Sequence, residues 1–358
     1  MNSVHAWHFY LSPQEAWEAM YQDCAQATKS IELEQYILEN DHVGRRFLEL
    51  FIEKAALGVK IFVICDRYGS ASFYGSPLIR KLRHHGGRFY FYNIIHYWDI
   101  FRPWRWFPRT HIKTLLVDSN IAYTGGVCFA ERMKDWRDTQ IRIIGPVVEQ
   151  VKGAFNRAEL IIRRKVVARL QKTKDKGQEF FYLQSEPVLS WHIIYTELVK
   201  AIGSAKHYVY LTTPYFAPNR RFRSLLRDAP AKGVVVMLLV PEHSSTILVD
   251  WVCLSYASKL LEAGVRIFRY QKSMIHCKTA VIDDQWATVG STNMDVISFF
   301  RNRESNLVTT NTHAIANLKQ HFLNDLQYSQ ELTREQLARE PFWKIAIGYL
   351  ARSVKSFL

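Results

Sequence analysis

The chain has 358 residues, and its 47 Lys and Arg against 33 Asp and Glu give a formal net charge of +14. At roughly 150 residues per domain this length predicts two domains, and an aromatic content of 14% excludes disorder over most of the chain. Five scattered cysteines without a CxxC pair argue against a disulfide scaffold and a zinc site. No apolar run approaches the roughly 18 residues of a membrane span, and the N-terminus lacks a signal-peptide pattern. The positive charge favours an anionic partner: nucleic acid, a phosphorylated small molecule or a lipid headgroup layer.

Predicted strands and helices alternate in the same order in both halves of the chain. The first half has strands at 29–40, 59–66 and 87–92 and helices at 45–58 and 77–86, and the second half has strands at 205–219, 234–241 and 265–270 and helices at 220–233 and 248–264. A glycine stands at the end of four of these segments, as expected just past a helix: Gly58, Gly86, Gly233 and Gly264. The order predicts an α/β fold in which each half has a mixed, mostly parallel sheet flanked by helices.

These repeats define the predicted organisation of the chain. We assign an N-terminal half to residues 1–165, a basic connector to 166–184 and a C-terminal half to 185–335. Residues 336–358 form a predicted amphipathic helix.

One motif occurs once in each half. His111-x-Lys113-x4-Asp118 is matched by His276-x-Lys278-x4-Asp283, and each histidine precedes a glycine, Gly125 or Gly290, by 14 residues. An acidic residue follows later in each half, Asp138 in the first and Glu304 in the second. Ordinary strand histidines explain a single copy well, but two copies with equal spacing favour a functional site.

The chemistry of these residue types suits a phosphate. In a strand, His111 and Lys113 share one face, as do His276 and Lys278, whereas the aspartates have the opposite parity and are expected to be structural. One imidazole can attack phosphorus while the other donates a proton to the leaving oxygen, and two lysines can neutralise the non-bridging oxygens. Each imidazole also needs an acceptor for its far nitrogen, and Asp138 and Glu304 are the candidates. We keep all six motif residues in the candidate catalytic set, including Asp118 and Asp283, and expect no metal ligands.

The stretches around both motifs resemble the paired HKD motifs of the phospholipase D superfamily. HIKTLLVDSNIAYTGG and HCKTAVIDDQWATVGSTN carry the resemblance, which extends from about Ile31 to Asn306. Within the superfamily the chain is most similar to bacterial cardiolipin synthases, on the stretches WRDTQIRIIGPVV, PYFAPN and GSTNMDVISFFRNRESNL. The resemblance implies a bilobal fold with two pseudo-twofold-related halves, one site between them and metal-independent phosphatidyl transfer through a phosphohistidine. It also implies that no cofactor is used.

The resemblance further implies roles for individual residues. The nucleophile is usually assigned to the first motif, hence His111, with His276 as acid and base, although the near-equivalent halves do not separate these roles. Ser291 and Asn293 match the phosphate-contacting positions of the family. Two departures stand out, Cys128 where an asparagine is typical and Ile297 where an arginine is frequent.

Two segments are candidates for membrane contact. The first half has about a dozen extra residues before its motif, in an aromatic and arginine-rich stretch at 90–110. Trp and Tyr favour the membrane interface and arginine pairs well with phosphate, so we predict contacts from Trp98, Arg102, Trp104, Arg105, Trp106 and Phe107. The alternative, a buried aromatic strand, is favoured for 89–92. In the C-terminal segment, Trp343 begins an apolar helical face that suits either an anionic surface or packing on the core or a second subunit.

The sequence therefore predicts a peripheral membrane enzyme that makes cardiolipin from phosphatidylglycerol and a second phospholipid. Phospholipase D hydrolysis to phosphatidic acid is the nearest alternative, followed by a nucleic-acid phosphodiesterase of the same superfamily. A lipid-binding scaffold with a dead site is disfavoured, because both motifs are complete. We expect an anionic phospholipid membrane as partner, no nucleic acid, and a location on the cytoplasmic face of the bacterial inner membrane. The donor lipid and the oligomeric state stay open.

Overall fold

The computed structural model describes residues 6–94, 101–163, 178–187 and 192–353. The first half forms a seven-stranded sheet in the order β1-β7-β6-β5-β2-β3-β4. Its strands are β1 (Ala6–Tyr10), β2 (Ser30–Gln35), β3 (Lys60–Asp66), β4 (Arg88–Tyr92), β5 (Lys113–Val117), β6 (Ile121–Gly125) and β7 (Gln140–Ile144). Its helices are α1 (Pro13–Gln26), α2 (His42–Ala56), α3 (Pro77–His84) and α4 (Val147–Ile162).

The second half forms an eight-stranded sheet in the order β17-β12-β11-β9-β13-β14-β16-β8 and a two-stranded one, β10-β15. Its strands are β8 (Phe180–Ser185), β9 (Tyr208–Thr212), β10 (Phe216–Ala217), β11 (Val235–Pro241), β12 (Arg266–Tyr270), β13 (Thr279–Ile282), β14 (Trp286–Gly290), β15 (Met294–Asp295), β16 (Glu304–Thr309) and β17 (Ser329–Glu331). Its helices are α5 (Ile193–Gly203), α6 (Arg220–Asp228), α7 (Ile247–Glu262), α8 (Val296–Phe300), α9 (Thr312–Leu326), α10 (Arg334–Arg339) and α11 (Phe342–Ala351).

The α/β fold with two mixed sheets confirms the predicted class, but the expectation of mostly parallel sheets was wrong. In the first large sheet only β2–β3 and β3–β4 pair in parallel, and in the second only β9–β11 and β11–β12 do so. The reason lies in the connections. Helices separate the parallel strands, whereas the motif strands return through short turns, and a short hairpin can join only antiparallel strands.

The boundary of the second half also differs from the predicted one. Strand β8 (Phe180–Ser185) pairs with β16, so this half begins at about residue 180 rather than 185. Residues 166–177, most of the predicted connector, lie outside the described residues.

The two halves pack face to face through one apolar cluster. Leu116 and Ile143 of the first sheet lie in the same buried cluster as Val281 and Leu307 of the second. Burial of apolar surface is worth about 25 cal/mol per Å², so this shared core holds the sheets together. The halves therefore form one body with the motif strands at its centre.

Strand register decides which sheet edge carries the motifs. The C-terminal residue of β2, Gln35, pairs with Lys113 at the start of β5. In the second half Thr212, the last residue of β9, pairs with Thr279 at the start of β13. Both histidines therefore lie at the edge where the parallel strands end.

Candidate active site

The four predicted reactive side chains are buried. His111 and His276 are 7% and 6% exposed, and Lys113 and Lys278 are almost fully enclosed. Each lysine bends back and donates from Nζ to the carbonyl of the histidine two residues before it, at 2.8 Å for Lys113 and 2.5 Å for Lys278. The shared strand face thus brings each ammonium group beside its own imidazole.

One short parallel β-bridge joins each motif to the opposite half. Thr110 pairs with Arg303, and Ile275 pairs with Arg137. The backbone N–H of His111 donates to the Arg303 carbonyl at 2.9 Å, and that of His276 donates to the Arg137 carbonyl at 2.7 Å. Asp138 directly follows Arg137, and Glu304 directly follows Arg303. Each bridge therefore places a carboxylate of one half close to the histidine of the other half.

The imidazoles contact these carboxylates. Nδ1 of His111 lies 3.0 Å from the carboxylate of Glu304, and Nδ1 of His276 lies 2.7 Å from Oδ2 of Asp138. A carboxylate at Nδ1 favours the tautomer with the proton there and leaves Nε2 with its lone pair. Both acceptors are the acidic residues singled out in the sequence, each serving the histidine of the other half.

Burial controls the protonation of the site. It lowers the pKa of His276 to about 3, assisted by the nearby Lys278 charge and opposed by Asp138. Burial also lowers the pKa of His111, against the opposing effect of Glu304. The pKa of Lys278 falls to about 7, again mainly through burial. For Asp138 burial acts upward, but the contacts with His276 and Lys278 outweigh it and lower the pKa. These shifts favour two neutral imidazoles beside an ionised Asp138.

The motif aspartates lie at the other end of the motif strands. Asp118 accepts from the backbone N–H groups of Thr28, Lys29 and Ser30 at 2.7–2.9 Å. Asp283 accepts equivalently from residues 206–208 at 2.6–2.9 Å. These contacts fix the start of β2 and β9 and give both aspartates a structural position.

Gly126 in the first half and Ser291 in the second occupy corresponding motif positions, and the difference between them has a steric cause. A Cβ at Gly126 would lie 2.0 Å from Oδ1 of Asp138, so only glycine fits there. In the second half Ser291 is accommodated, and its hydroxyl donates to Glu304. Asn293 is buried, and its Oδ1 has no hydrogen-bond partner among the described residues. Its counterpart Cys128 is equally buried, in a small apolar cluster with Ala130 and Met133.

Two aromatic rings flank the imidazoles. The Tyr36 ring lies 4.8 Å from the His111 ring, and the Trp136 ring lies 5.2 Å from the His276 ring. These rings cover apolar faces of the imidazoles and help to keep water from them.

A buried ionic network, which the sequence pattern did not predict, supports the first bridge. Arg303 is fully buried, pairs with Glu34, and donates from Nε to Glu186 at 2.7 Å. Arg137 has the matching position and forms two 2.8 Å bonds with Asp325. A repeated arginine–acid pair, Arg137-Asp138 and Arg303-Glu304, was the available signal.

The predicted membrane-contact residues have varied surroundings. Arg102 and Arg105 are exposed, while Trp106 and Phe107 are half-buried, and the Arg301 guanidinium lies over the Phe107 ring at 4.8 Å. Trp98 and the side chain of Trp104 lie outside the described residues. Phe101, which was not among the predicted contacts, is 85% exposed.

Helix α11 packs on α7 through its small residues. Gly348 lies against the Trp251 carbonyl, and the Trp343 and Trp251 rings are 5.3 Å apart. Within the predicted apolar face, Trp343 and Leu350 are exposed, and the part of this face after residue 353 lies outside the described residues. No helix within the described residues combines the length and apolar character needed to cross a bilayer. In the same residues, no group of three or more His, Cys, Asp or Glu side chains is arranged to hold a metal ion.

Comparison with known proteins identifies the family. A family model described as "Cardiolipin synthase, PLD-like domain" matches residues 20–158 and 198–326. A cardiolipin synthase of Staphylococcus aureus is 31% identical over 356 residues, covering 93% of this chain and 70% of the relative. One from Oceanobacillus iheyensis is 30% identical, covering 90% and 69%.

Solved structures agree at the level of the fold. Phosphatidylserine synthase from Haemophilus influenzae superposes with a TM-score of 0.74 at 13% identity, covering 98% of this chain and 94% of that one. Polyphosphate kinase from Porphyromonas gingivalis gives 0.65 at 12% identity, covering 99% and 53%. The fold and the paired motifs are those of the phospholipase D superfamily. Within it, the chain belongs to the cardiolipin synthase family.

Proposed function

We propose that this chain makes cardiolipin by transferring a phosphatidyl group from one phospholipid to a hydroxyl of phosphatidylglycerol. The observation that carries the proposal is the pair of buried imidazoles, each bonded at Nδ1 to a carboxylate of the opposite half. This arrangement supplies two Nε2 atoms, one for attack on phosphorus and one for proton transfer.

In the first step, Nε2 of His111 attacks phosphorus, and a P–N bond forms as the P–O bond to the leaving alcohol breaks. His276 gives its proton to the leaving oxygen. Burial lowers the pKa of His276 to about 3, and the negative charge of a bound phosphate raises the pKa so that the proton can be held. Asp138 stabilises the imidazolium that results.

In the second step, the phosphatidylglycerol hydroxyl gives its proton to His276. Its oxygen attacks phosphorus, the P–N bond breaks, and His111 returns to the neutral state. A phosphatidylglycerol donor releases glycerol, and a phosphatidylethanolamine donor releases ethanolamine. Lys113 and Lys278 neutralise the phosphate oxygens in both steps, with Ser291 and Asn293 as further contacts.

Water competes with the lipid hydroxyl for the same intermediate, and hydrolysis would release phosphatidic acid. The burial of both imidazoles and the Tyr36 and Trp136 rings beside them favour transfer, because they restrict water at the site.

We further propose that the chain binds the cytoplasmic face of the bacterial inner membrane peripherally. Exposed apolar side chains on α11 and beside the first motif, such as Leu350 and Phe101, support this placement. The net charge of +14 favours anionic lipids, and the five cysteines are unpaired, as expected in a reducing compartment.

Lipid product analysis tests the proposed function. Mixed vesicles of phosphatidylglycerol and phosphatidylethanolamine should yield cardiolipin, and His111→Ala and His276→Ala should each abolish it. Phosphatidic acid as the main product would replace transfer by hydrolysis, and activity that survives either substitution would contradict the two-histidine mechanism. Turnover of nucleic acid without lipid turnover would instead indicate a nucleic-acid phosphodiesterase of the same superfamily.

A further inference from the structure

An apolar cavity lies in the second half, between α7, α11 and the end of β11. Its volume is about 120 Å³. The inner wall is apolar, formed by Phe216, Val240, Val249, Leu254, Ala257 and Ile267. The cavity reaches the surface at Ile247, which lines it and is 63% exposed.

The cavity lies close to the catalytic motifs. Pro214 lines it two residues after Thr212, which pairs with Thr279, the residue following Lys278. At about 3.3 Å per residue, Pro214 lies only about 7 Å along the chain from Thr212. Phe216, on the inner wall, pairs with Met294, the residue after Asn293. A lipid whose phosphate lies between the imidazoles therefore has the cavity within reach of its acyl region.

Two basic and two acidic side chains at the cavity form ion pairs with one another, and Asp250, which also lines it, accepts from the backbone N–H of Ser244 at 2.9 Å. Arg269 donates from Nη1 to Glu242 at 3.2 Å and to Glu340 at 2.9 Å, and Lys344 also pairs with Glu340. A charged ligand would have to break these pairs, whereas an apolar chain would not. Nη2 of Arg269 is buried without a partner among the described residues, and an ester carbonyl oxygen of the same lipid would satisfy it.

We infer that this cavity takes the methylene groups next to the ester of one acyl chain of the phospholipid substrate, so that substrates with these methylene groups are preferred to substrates without them. The inference rests on the proposed function. A dry apolar cavity of roughly 150 Å³ holds one benzene ring, so this slightly smaller one takes a few methylene groups and leaves the rest of the chain in the membrane. The side chains of α7 that face the cavity then set how much these methylene groups contribute to turnover.

The test compares long-chain phosphatidylglycerol with a short-chain form, diacetyl phosphatidylglycerol, whose acyl chains have no methylene group to place in the cavity, in the same detergent micelles. Leu254→Trp fills the cavity, and Lys259→Trp adds the same side chain at an exposed position of the same helix as a control. We expect the ratio of long-chain to short-chain turnover to fall about tenfold in the first variant and to stay unchanged in the second. Tenfold corresponds to about 1.4 kcal/mol, close to the burial of roughly two methylene groups.

An unchanged ratio in folded Leu254→Trp overturns the inference. An equal loss of turnover on both substrates also overturns it, because that result would show that the cavity affects only the packing of the core. If that variant does not fold, Leu254→Ala replaces it; enlarging the cavity must raise the ratio, and an unchanged ratio again overturns the inference. A wild-type protein without phosphatidyl transfer on either substrate refutes the proposed function itself. By contrast, an active wild type whose Leu254 variants keep the wild-type ratio refutes only the inference about the cavity.

Discussion

The two histidines of the site depend on single carboxylates for both orientation and charge. Asp138 and Glu304 each contact one Nδ1, and no space for a larger neighbour remains at Gly126 beside Asp138. A neutral amide at either position would keep much of the shape but would not stabilise an imidazolium. The charge, rather than the contact alone, is therefore expected to matter for turnover.

Asp138→Asn and Glu304→Gln should lower turnover about 10²- to 10⁴-fold, because an amide stabilises the wrong tautomer and lacks the charge. Cardiolipin formation at saturating lipid, measured beside thermal unfolding, separates this effect from misfolding. Asp284→Asn is the matched control, since Asp284 is exposed and pairs with Lys319. Wild-type turnover in Asp138→Asn and Glu304→Gln would contradict the role given to the carboxylates.

At the scale of elements, the short bridges beside the motifs are held by buried charges. The strand that begins at Glu304 is preceded by Arg303, whose side chain is enclosed with Glu34 and Glu186. Removing the cation would leave two buried carboxylates without a positive charge beside them, although the Thr110 hydroxyl would still donate to Glu34. The stability of this bridge and the position of Glu304 are thus linked.

Arg303→Met should lower the free energy of unfolding by about 3–5 kcal/mol, as expected when one partner of a buried ion pair is removed. Arg266→Met is the control, because Arg266 pairs with Glu331 at the surface and should lose less than about 1 kcal/mol. Denaturant unfolding measures both. Equal losses would show that the Arg303 network contributes no more than a surface pair.

Features that depend on short stretches of sequence could be predicted, and those that depend on which segments meet could not. Strand parity places His111 beside Lys113, and the glycines follow their helices as expected. The antiparallel return of β5 and the pairing of β8 with β16 depend on contacts between distant segments. The same holds for the partner of each carboxylate. Asp138 follows Gly125 by 13 residues and Glu304 follows Gly290 by 14, so the spacing links each acid to its own half, and only the assembled interface shows the exchange.

For the whole molecule, the exposed apolar side chains are not spread evenly. Phe101 follows β4, and Ile247 follows β11, at the edge where the motifs lie, and Phe342 begins the helix that packs on α7. Leu57 lies at the opposite edge, between α2 and β3. The membrane should therefore meet the edge that carries the site.

Phe101→Ser and Leu350→Ser should weaken binding to anionic vesicles several-fold, since each removes exposed apolar area from the proposed contact. Leu57→Ser, which removes a comparably exposed side chain from the far edge, should leave binding unchanged. Vesicle sedimentation measures binding, and turnover of a short-chain soluble lipid should stay near wild type in all three. Equal weakening by Leu57→Ser would exclude a single membrane-facing edge.

The exchange of carboxylates across the interface makes each half incomplete by itself. Each half contributes a histidine to one pair and an acid to the other, so neither half carries both members of a histidine–carboxylate pair. A Cβ at Gly126 would lie 2.0 Å from Oδ1 of Asp138, whereas Glu304 accepts a hydrogen bond from the Ser291 hydroxyl. A side chain that is accommodated at this motif position in one half is therefore excluded in the other, and the two halves are not interchangeable.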